Sequence, residues 1–396
     1  MKRIMLLMCA LMLCTVCAAF AADTISVTGT GNKTLVLDGV TVDTTNPTAL
    51  FIESTVSQLT IVLKDGTMNT LSGSRGIANN GVDMIITCER AGEGHICDEN
   101  CGVLVVKGTD GPGIGGHGDF MGCLTINGGK VSAISETWAP GIGSGEFTGR
   151  VIINGGEVVA SGYAAGIGGE DGCGFSGSVI VNGGKLTAVS YGASAGIGGG
   201  DAGDFSGTVT INGGEVTAVG GGDAAGIGGG NGSDVFSGTV IINGGKVSVS
   251  ADDGAGIGTG DGNDGAAIFG GSVSIRGGDL TAYSKRGAAI GAGYEGTMTD
   301  GAVIEVDPAA GVIFIMSGNT ENDAVYLEGS PFGSQTNLIP LLNGDHYVRI
   351  CPPAAPVTPA PDVPQTGDST NFAFLVLLAA AGMIGMTVIL RKKKES

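Results

Sequence analysis

The sequence is short of positive charge. Nineteen Lys and Arg face 38 Asp and Glu in 396 residues, for a formal net charge of −19 at pH 7. Six of the cations stand at the chain ends (Lys2, Arg3 and 391–394), so residues 22–366 carry a net charge near −23. Such a surface repels nucleic acid and anionic lipid and suits cations or neutral and cationic partners. Helical periodicity is missing outside the two termini, which excludes a helical body. Histidine is scarce: His95, His117 and His346 do not recur and lie near no nucleophile motif, and neither a Ser/Cys-His signature nor a metalloprotease motif is present. A non-catalytic protein is therefore expected, with no catalytic residue assigned. Glycine, by contrast, is 77 of 396 residues, far above the usual share of about 7%. Collagen would place Gly at every third position, which does not occur. A disordered chain would have few aliphatic side chains, whereas Val and Ile are abundant. The glycines punctuate an ordered repeat.

Two short motifs alternate through that repeat. One is an Ala/Pro-Gly-Ile-Gly turn with its Ile at Ile114, Ile142, Ile167, Ile197, Ile227 and Ile257, followed by Ile290 in Ala-Ile-Gly. The steps run from 25 residues (Ile142 to Ile167) to 33 (Ile257 to Ile290). The other is a strand running into Asn-Gly-Gly at Asn127, Asn154, Asn182, Asn212 and Asn243, with Arg276 in the next place. Apolar residues alternate within a unit. Val209 and Ile211 oppose Thr208 and Thr210, and Val216 and Ala218 oppose Glu215 and Thr217, which is strand periodicity. Short strands in units of this length predict an all-β parallel β-helix, a solenoid of about ten coils between Thr34 and Leu327. A lone coil buries too little to offset the ordering of its backbone, so stability must come from its neighbours. Residues 22–33 are expected to cap the N-terminal end and 34–300 to form the coils. Residues 301–350, with Pro308, Pro331 and Pro340, finish and cap the other end, and the Pro/Ala-rich segment 351–362 is a spacer.

The termini read as targeting signals. Lys2 and Arg3 precede an apolar stretch from Ile4 to about Phe20, and Ala19-Phe20-Ala21 fits a small-residue cleavage site, so residues 1–21 read as a secretory signal peptide. At the other end stand Val363-Pro364-Gln365-Thr366-Gly367, an apolar run over 372–390, and four cations. That run of 19 residues makes a helix about 28 Å long, close to the hydrocarbon thickness of a bilayer. The cations belong on the cytoplasmic side. This tail resembles the sorting signal of Gram-positive LPxTG surface proteins, with Val363 in place of the usual Leu. The resemblance implies that sortase cuts between Thr366 and Gly367 and joins Thr366 to peptidoglycan, the 372–390 helix holding the chain in the membrane only until then. A plain single-span anchor is the alternative. The Gly-Ile-Gly-Gly and Ile-Asn-Gly-Gly repeats are similar to those of extracellular carbohydrate-binding β-helix proteins over roughly residues 24–316, which implies the same solenoid and a glycan partner.

Four sets of residues are candidates for function. Trp138 and Tyr163 each stand four residues before a repeat Ile and Tyr191 six before its own, so on adjacent coils they could form a track for sugar rings, or be isolated surface aromatics. Acidic loops recur near the Gly-Ile-Gly turns, with Asp201, Asp204, Asp234, Asp261 and Asp264 the candidate ligands for Ca²⁺, a hard cation taking oxygen donors; simple solubilising charge is the competing reading. The match of 229–237 to the calcium nonapeptide occurs once, whereas true arrays repeat it. The stacked asparagines suggest a side-chain amide ladder, or only a residue tolerant of a tight turn. Cys88, Cys97, Cys101, Cys123, Cys173 and Cys351 remain after the leader; the first three fall in one insertion, where a disulfide staple is the first expectation and a zinc site with His95 the second. Together these observations describe a wall-anchored adhesion protein presenting a carbohydrate-binding face. The alternatives are a structural or protein-binding stalk, or a polysaccharide lyase or hydrolase.

Overall fold

The structure is a computed structural model that describes residues 13–17, 24–45, 47–91, 97–116, 118–232, 235–262, 267–307, 314–326, 338 and 344–352. Most of the leader, His95, His117, Asp234, Asp264, the spacer beyond Pro352 and the whole sorting signal with its 372–390 span lie outside the described residues. The body is a parallel β-solenoid whose described strands make three long sheets of 11, 12 and 10 strands. Each turn visits the same three faces in the same order.

The narrow face carries the Gly-Ile-Gly motif. Its strands shrink to two residues, such as Ile167–Gly168 and Ile197–Gly198. Their isoleucines pair in register from turn to turn, Ile142 with Ile167, Ile167 with Ile197 and Ile197 with Ile227, and are fully buried. The glycine that follows has no substitute. Gly198 has φ 148°, and a Cβ there would lie 1.9 Å from the Gly228 carbonyl oxygen one turn on. The second face consists of four-residue strands such as Ser178–Val181 and Thr208–Ile211. They alternate buried Val and Ile (Val179 and Val181, Val209 and Ile211) with outward Ser178, Ile180, Thr208 and Thr210, as the period-two pattern requires. After each comes the Asn-Gly-Gly turn, and then a longer strand on the third face, such as Lys185–Ser190 or Glu215–Val219.

Three ladders fix the stacking. At the corner before the second face, Phe120, Phe147, Phe175, Phe205, Phe236 and Phe269 are fully buried and stack with ring centroids 4.7–5.1 Å apart and planes within 3–17°. The stack ends on Met298, which pairs with Phe269. Each ring needs space from the next turn. A Cβ on Gly238 would sit 2.6 Å from the Phe205 ring, and one on Gly207 2.6 Å from Phe175, which explains the glycine two places after each phenylalanine. On the surface the asparagines form an amide ladder. Nδ2 of Asn154, Asn182, Asn212 and Asn243 donates to Oδ1 of the preceding asparagine at 2.7–2.8 Å. On the third face the first residue of each strand from Lys130 to Asp279 alternates in charge. Lys130 opposes Glu157, Glu157 opposes Lys185, Lys185 opposes Glu215, Glu215 opposes Lys246, and Lys246 opposes Asp279.

The third face counts nine parallel strands, hence nine complete turns among the described residues rather than ten. A tenth turn starts with Ile290–Gly291 and Val303–Val306. Its third strand is replaced by Tyr347–Cys351, which runs antiparallel to Asp279–Ser284 and is backed by Phe314–Gly318. The charge ladder still closes, because Arg349 pairs with Asp279 at 3.0 Å. Reversing the last strand ends the parallel register there and covers an edge that would otherwise invite pairing. At the N-terminal end, Ile25–Val27 already pairs with Thr48–Ile52, so the first turn begins inside the segment expected to be a cap. Leu13–Cys17, within the expected leader, pairs in parallel with Gly31–Asp38. Cleavage after Ala21 would remove that strand and leave Gly31–Asp38 as the edge of its sheet.

Candidate functional site: an aromatic track and an acidic corner

The corner between the third face and the narrow face holds the candidate residues. Here three of the third-face strands end in a buried serine, Ser135, Ser190 and Ser284, that ties the turn inward. Ser135 Oγ donates to the Gly111 carbonyl at 2.9 Å and Ser284 Oγ to that of Gly254 at 2.7 Å. With the backbone so held, the next side chains point outward. Trp138, Tyr163 and Tyr191 occupy this corner on three successive turns and are 68%, 43% and 52% exposed. Trp138 and Tyr163 lie 5.7 Å apart between ring centroids at 54°, and Tyr163 and Tyr191 6.4 Å apart at 61°. The structure therefore brings together all three aromatics expected from the sequence, in one exposed row. Partial burial raises the Tyr191 hydroxyl pKa, against the pull of its hydrogen bond with Ser161. The phenol stays a neutral donor at physiological pH.

Beyond Tyr191 the same corner turns acidic. Asp223 takes the following turn and Asp253 the one after it. Their carboxylates and that of Asp261 lie within 4.8 Å of one another. Asp253 and Asp261 are buried. Arg286 pairs with Asp253 and lies 4.8 Å over the Tyr294 ring, so part of this charge is already neutralised. On the neighbouring loops burial raises the Asp171 pKa, with Asp201 adding to it. Burial likewise raises that of Asp201, with Asp223 adding to it. Of the expected calcium residues, Asp234 and Asp264 lie outside the described residues, and Asp201, Asp204 and Asp261 sit in separate places. Asp201 belongs to the stacked acidic row, Asp204 accepts from the Val235 amide at 2.9 Å as a loop brace, and Asp261 joins Asp223 and Asp253. Those last two stood out in the sequence only as members of acidic loops.

The cysteine insertion forms a second cluster. None of Cys88, Cys97, Cys101, Cys123, Cys173 and Cys351 is disulfide-bonded, so the expected staple is absent. Instead, the Sγ atoms of Cys88, Cys97 and Cys101 lie within 4.8 Å of one another. Burial pushes the Cys97 thiol up to about 12, and the thiol of Cys101 adds to the shift.

Two family models match the chain. A β-helix repeat model covers residues 124–146, 151–173, 179–201, 209–231 and 273–294, and the LPXTG cell wall anchor motif covers 358–396. This is a cell-wall-anchored surface protein. Its anchor implies sortase processing and attachment to peptidoglycan. No curated protein and no solved structure matches the chain. Among the described residues no helix is long and apolar enough to cross a membrane.

Proposed function

We propose that the wall-anchored solenoid is an adhesion protein that binds an extracellular glycan along the row formed by Trp138, Tyr163 and Tyr191. The carrying observation is that three of the few exposed aromatics among the described residues sit on consecutive turns with adjoining rings. Large aromatic faces left in water are costly unless a partner covers them, and aromatic side chains are favoured anchors where it does. The rings are inclined to one another by 54° and 61°. A row of that shape suits a flexible or twisted single glycan chain better than a flat crystalline polymer face. The acidic corner beside it favours neutral or amine-bearing sugars over uronic or sulfated ones. The reading assigns binding without catalysis. The mature chain is taken to begin near residue 22, after leader cleavage, and to be held by a transient 372–390 membrane helix before sortase cuts between Thr366 and Gly367, with Val363, Pro364 and Gln365 as the recognised residues.

The test is a glycan array with the exported protein, repeated with chelator. Trp138→Ala and Tyr163→Ala are each expected to weaken the best glycan by about tenfold or more, roughly 1.4 kcal/mol, without shifting the melting temperature. Binding that survives loss of all three rings removes the track from the site. Loss on chelation would assign a role to calcium at the acidic corner. A protein that binds no glycan is the stalk, a reading favoured by ladders that run from turn to turn irrespective of any surface feature.

A further inference from the structure

The insertion between the second and third faces of the third turn departs from every later turn. Elsewhere the crossing takes three residues, as between Arg150–Ile153 and Glu157–Gly162. Here the strand that ends at Cys88 is followed by one that starts only at Val103, a long connection of the kind that requires its own support. Part of that support is ionic. Arg90 pairs with Asp65 and, at 2.9 Å, with Asp98. The rest is the thiol trio. Cys88 ends its strand and is buried, Cys101 is buried just before the next strand, and Cys97 is half-buried between them. Space for the trio comes from the next turn, where a Cβ on Gly128 would come within 3.0 Å of the Cys88 sulfur.

We propose that Cys88, Cys97 and Cys101 form a three-thiolate site for Zn²⁺ that staples this insertion to the solenoid. Thiolates bound to one zinc at about 2.3 Å stand about 3.8 Å from each other, so sulfurs already within 4.8 Å need only small shifts to close on an ion. A disulfide needs about 2.05 Å and leaves a third thiol buried without a role. Three thiols lose their protons to the solvent on binding, and the resulting zinc tris-thiolate carries one negative charge. The Arg90 Nη2, 4.0 Å from Cys101 Sγ, faces that charge as donor and counter-ion. The three sulfurs leave the fourth zinc position to a donor from outside the trio. The site is independent of the aromatic row.

The experiment uses the full-length chain, purified in detergent under reducing, oxygen-free conditions, with Zn²⁺ and then Co²⁺ as probes. The expected result is about one tightly held Zn²⁺ per chain, and on Co²⁺ substitution an intense thiolate-to-metal charge-transfer absorption. Cys97→Ser, at the least buried position, should lower Zn²⁺ affinity by more than about 100-fold while circular dichroism stays that of a β-protein. Cys173→Ser and Cys351→Ser should change nothing. Wild-type protein that keeps no zinc through buffer exchange overturns the proposal. So does a disulfide within the trio that forms although zinc was supplied before air, or zinc binding lost equally in Cys173→Ser. Because the wild-type measurement decides by itself, a variant that misfolds does not rescue the idea.

Discussion

At the scale of single residues, the fold depends on positions where nothing but hydrogen fits. Gly143, Gly168, Gly198, Gly228 and Gly258 all have φ between 136° and 152°, and a Cβ on any of them would stand 1.8–2.0 Å from a glycine carbonyl in the next turn. Both the backbone conformation and the contact forbid a side chain. Gly198→Ala is therefore expected to destabilise by about 2–5 kcal/mol in denaturant titration. Gly172 is the contrast. It has φ 75° but nothing within 4 Å of its would-be Cβ, so Gly172→Ala should cost only about 1 kcal/mol. Equal losses at the two sites would mean that the close inter-turn contact is not present. The asparagines act differently: each side chain is both donor and acceptor to its counterparts, so the ladder satisfies exposed amides that also shape the turn.

At the scale of the strand, register is set twice. Inside, phenylalanine stacks on phenylalanine and isoleucine on isoleucine, so a slip of one residue turns the apolar set outward. Outside, the alternation Lys130, Glu157, Lys185, Glu215, Lys246, Asp279 places unlike charges opposite each other at every step. The individual pairs are loose, as in the 3.8 Å contact of Lys246 with Glu215, and each contributes little. Their value is against misregister, because skipping one turn would set like beside like. Glu215→Lys puts three lysines in a row and should destabilise by about 1 kcal/mol at low salt, with the loss largely gone near about 1 M salt. Glu215→Gln should show a smaller and less salt-sensitive loss. If the two variants behave alike in both salts, the alternation carries no energy.

Some of these features were legible in the sequence and some were not. The repeat isoleucines and asparagines stand at fixed offsets from glycine pairs, so their stacking could be read from spacing alone. The aromatic row was found for the same reason, each ring lying a few residues before a repeat isoleucine. The phenylalanine stack escaped although its signal is plain afterwards: Phe175-Ser-Gly-Ser-Val, Phe205-Ser-Gly-Thr-Val and Phe236-Ser-Gly-Thr-Val share one pattern. It sits on bridges or two-residue strands too short to show alternation. The charge ladder escaped because its period is two units, so neighbouring units look unlike each other at that position. The convergence of Cys88, Cys97 and Cys101, and of Asp223 with Asp253 and Asp261, depends on loop paths that no repeat pattern encodes.

At the scale of the molecule, a chain with few cations and many glycines winds into an acidic β-solenoid. Its net negative charge disfavours anionic partners. Its nine described turns would rise about 43 Å at the spacing of parallel strands, and the wall anchor motif follows them in the chain. The proposed glycan row occupies one corner of three turns, leaving the ladders elsewhere to hold it rigid. The deciding measurement is a pulsed electron spin resonance ruler using spin-labelled non-natural residues, which spare the native thiols. Ser132, Val159, Thr187, Thr217, Ser248 and Thr281 face outward at one register position of successive turns. Labels at Ser132 and Ser248 should lie about 19 Å apart, and those at Ser132 and Thr281 about 24 Å, one strand spacing further. Broad distributions, or separations that grow with the number of intervening residues instead of the number of turns, would show that the windings do not stack.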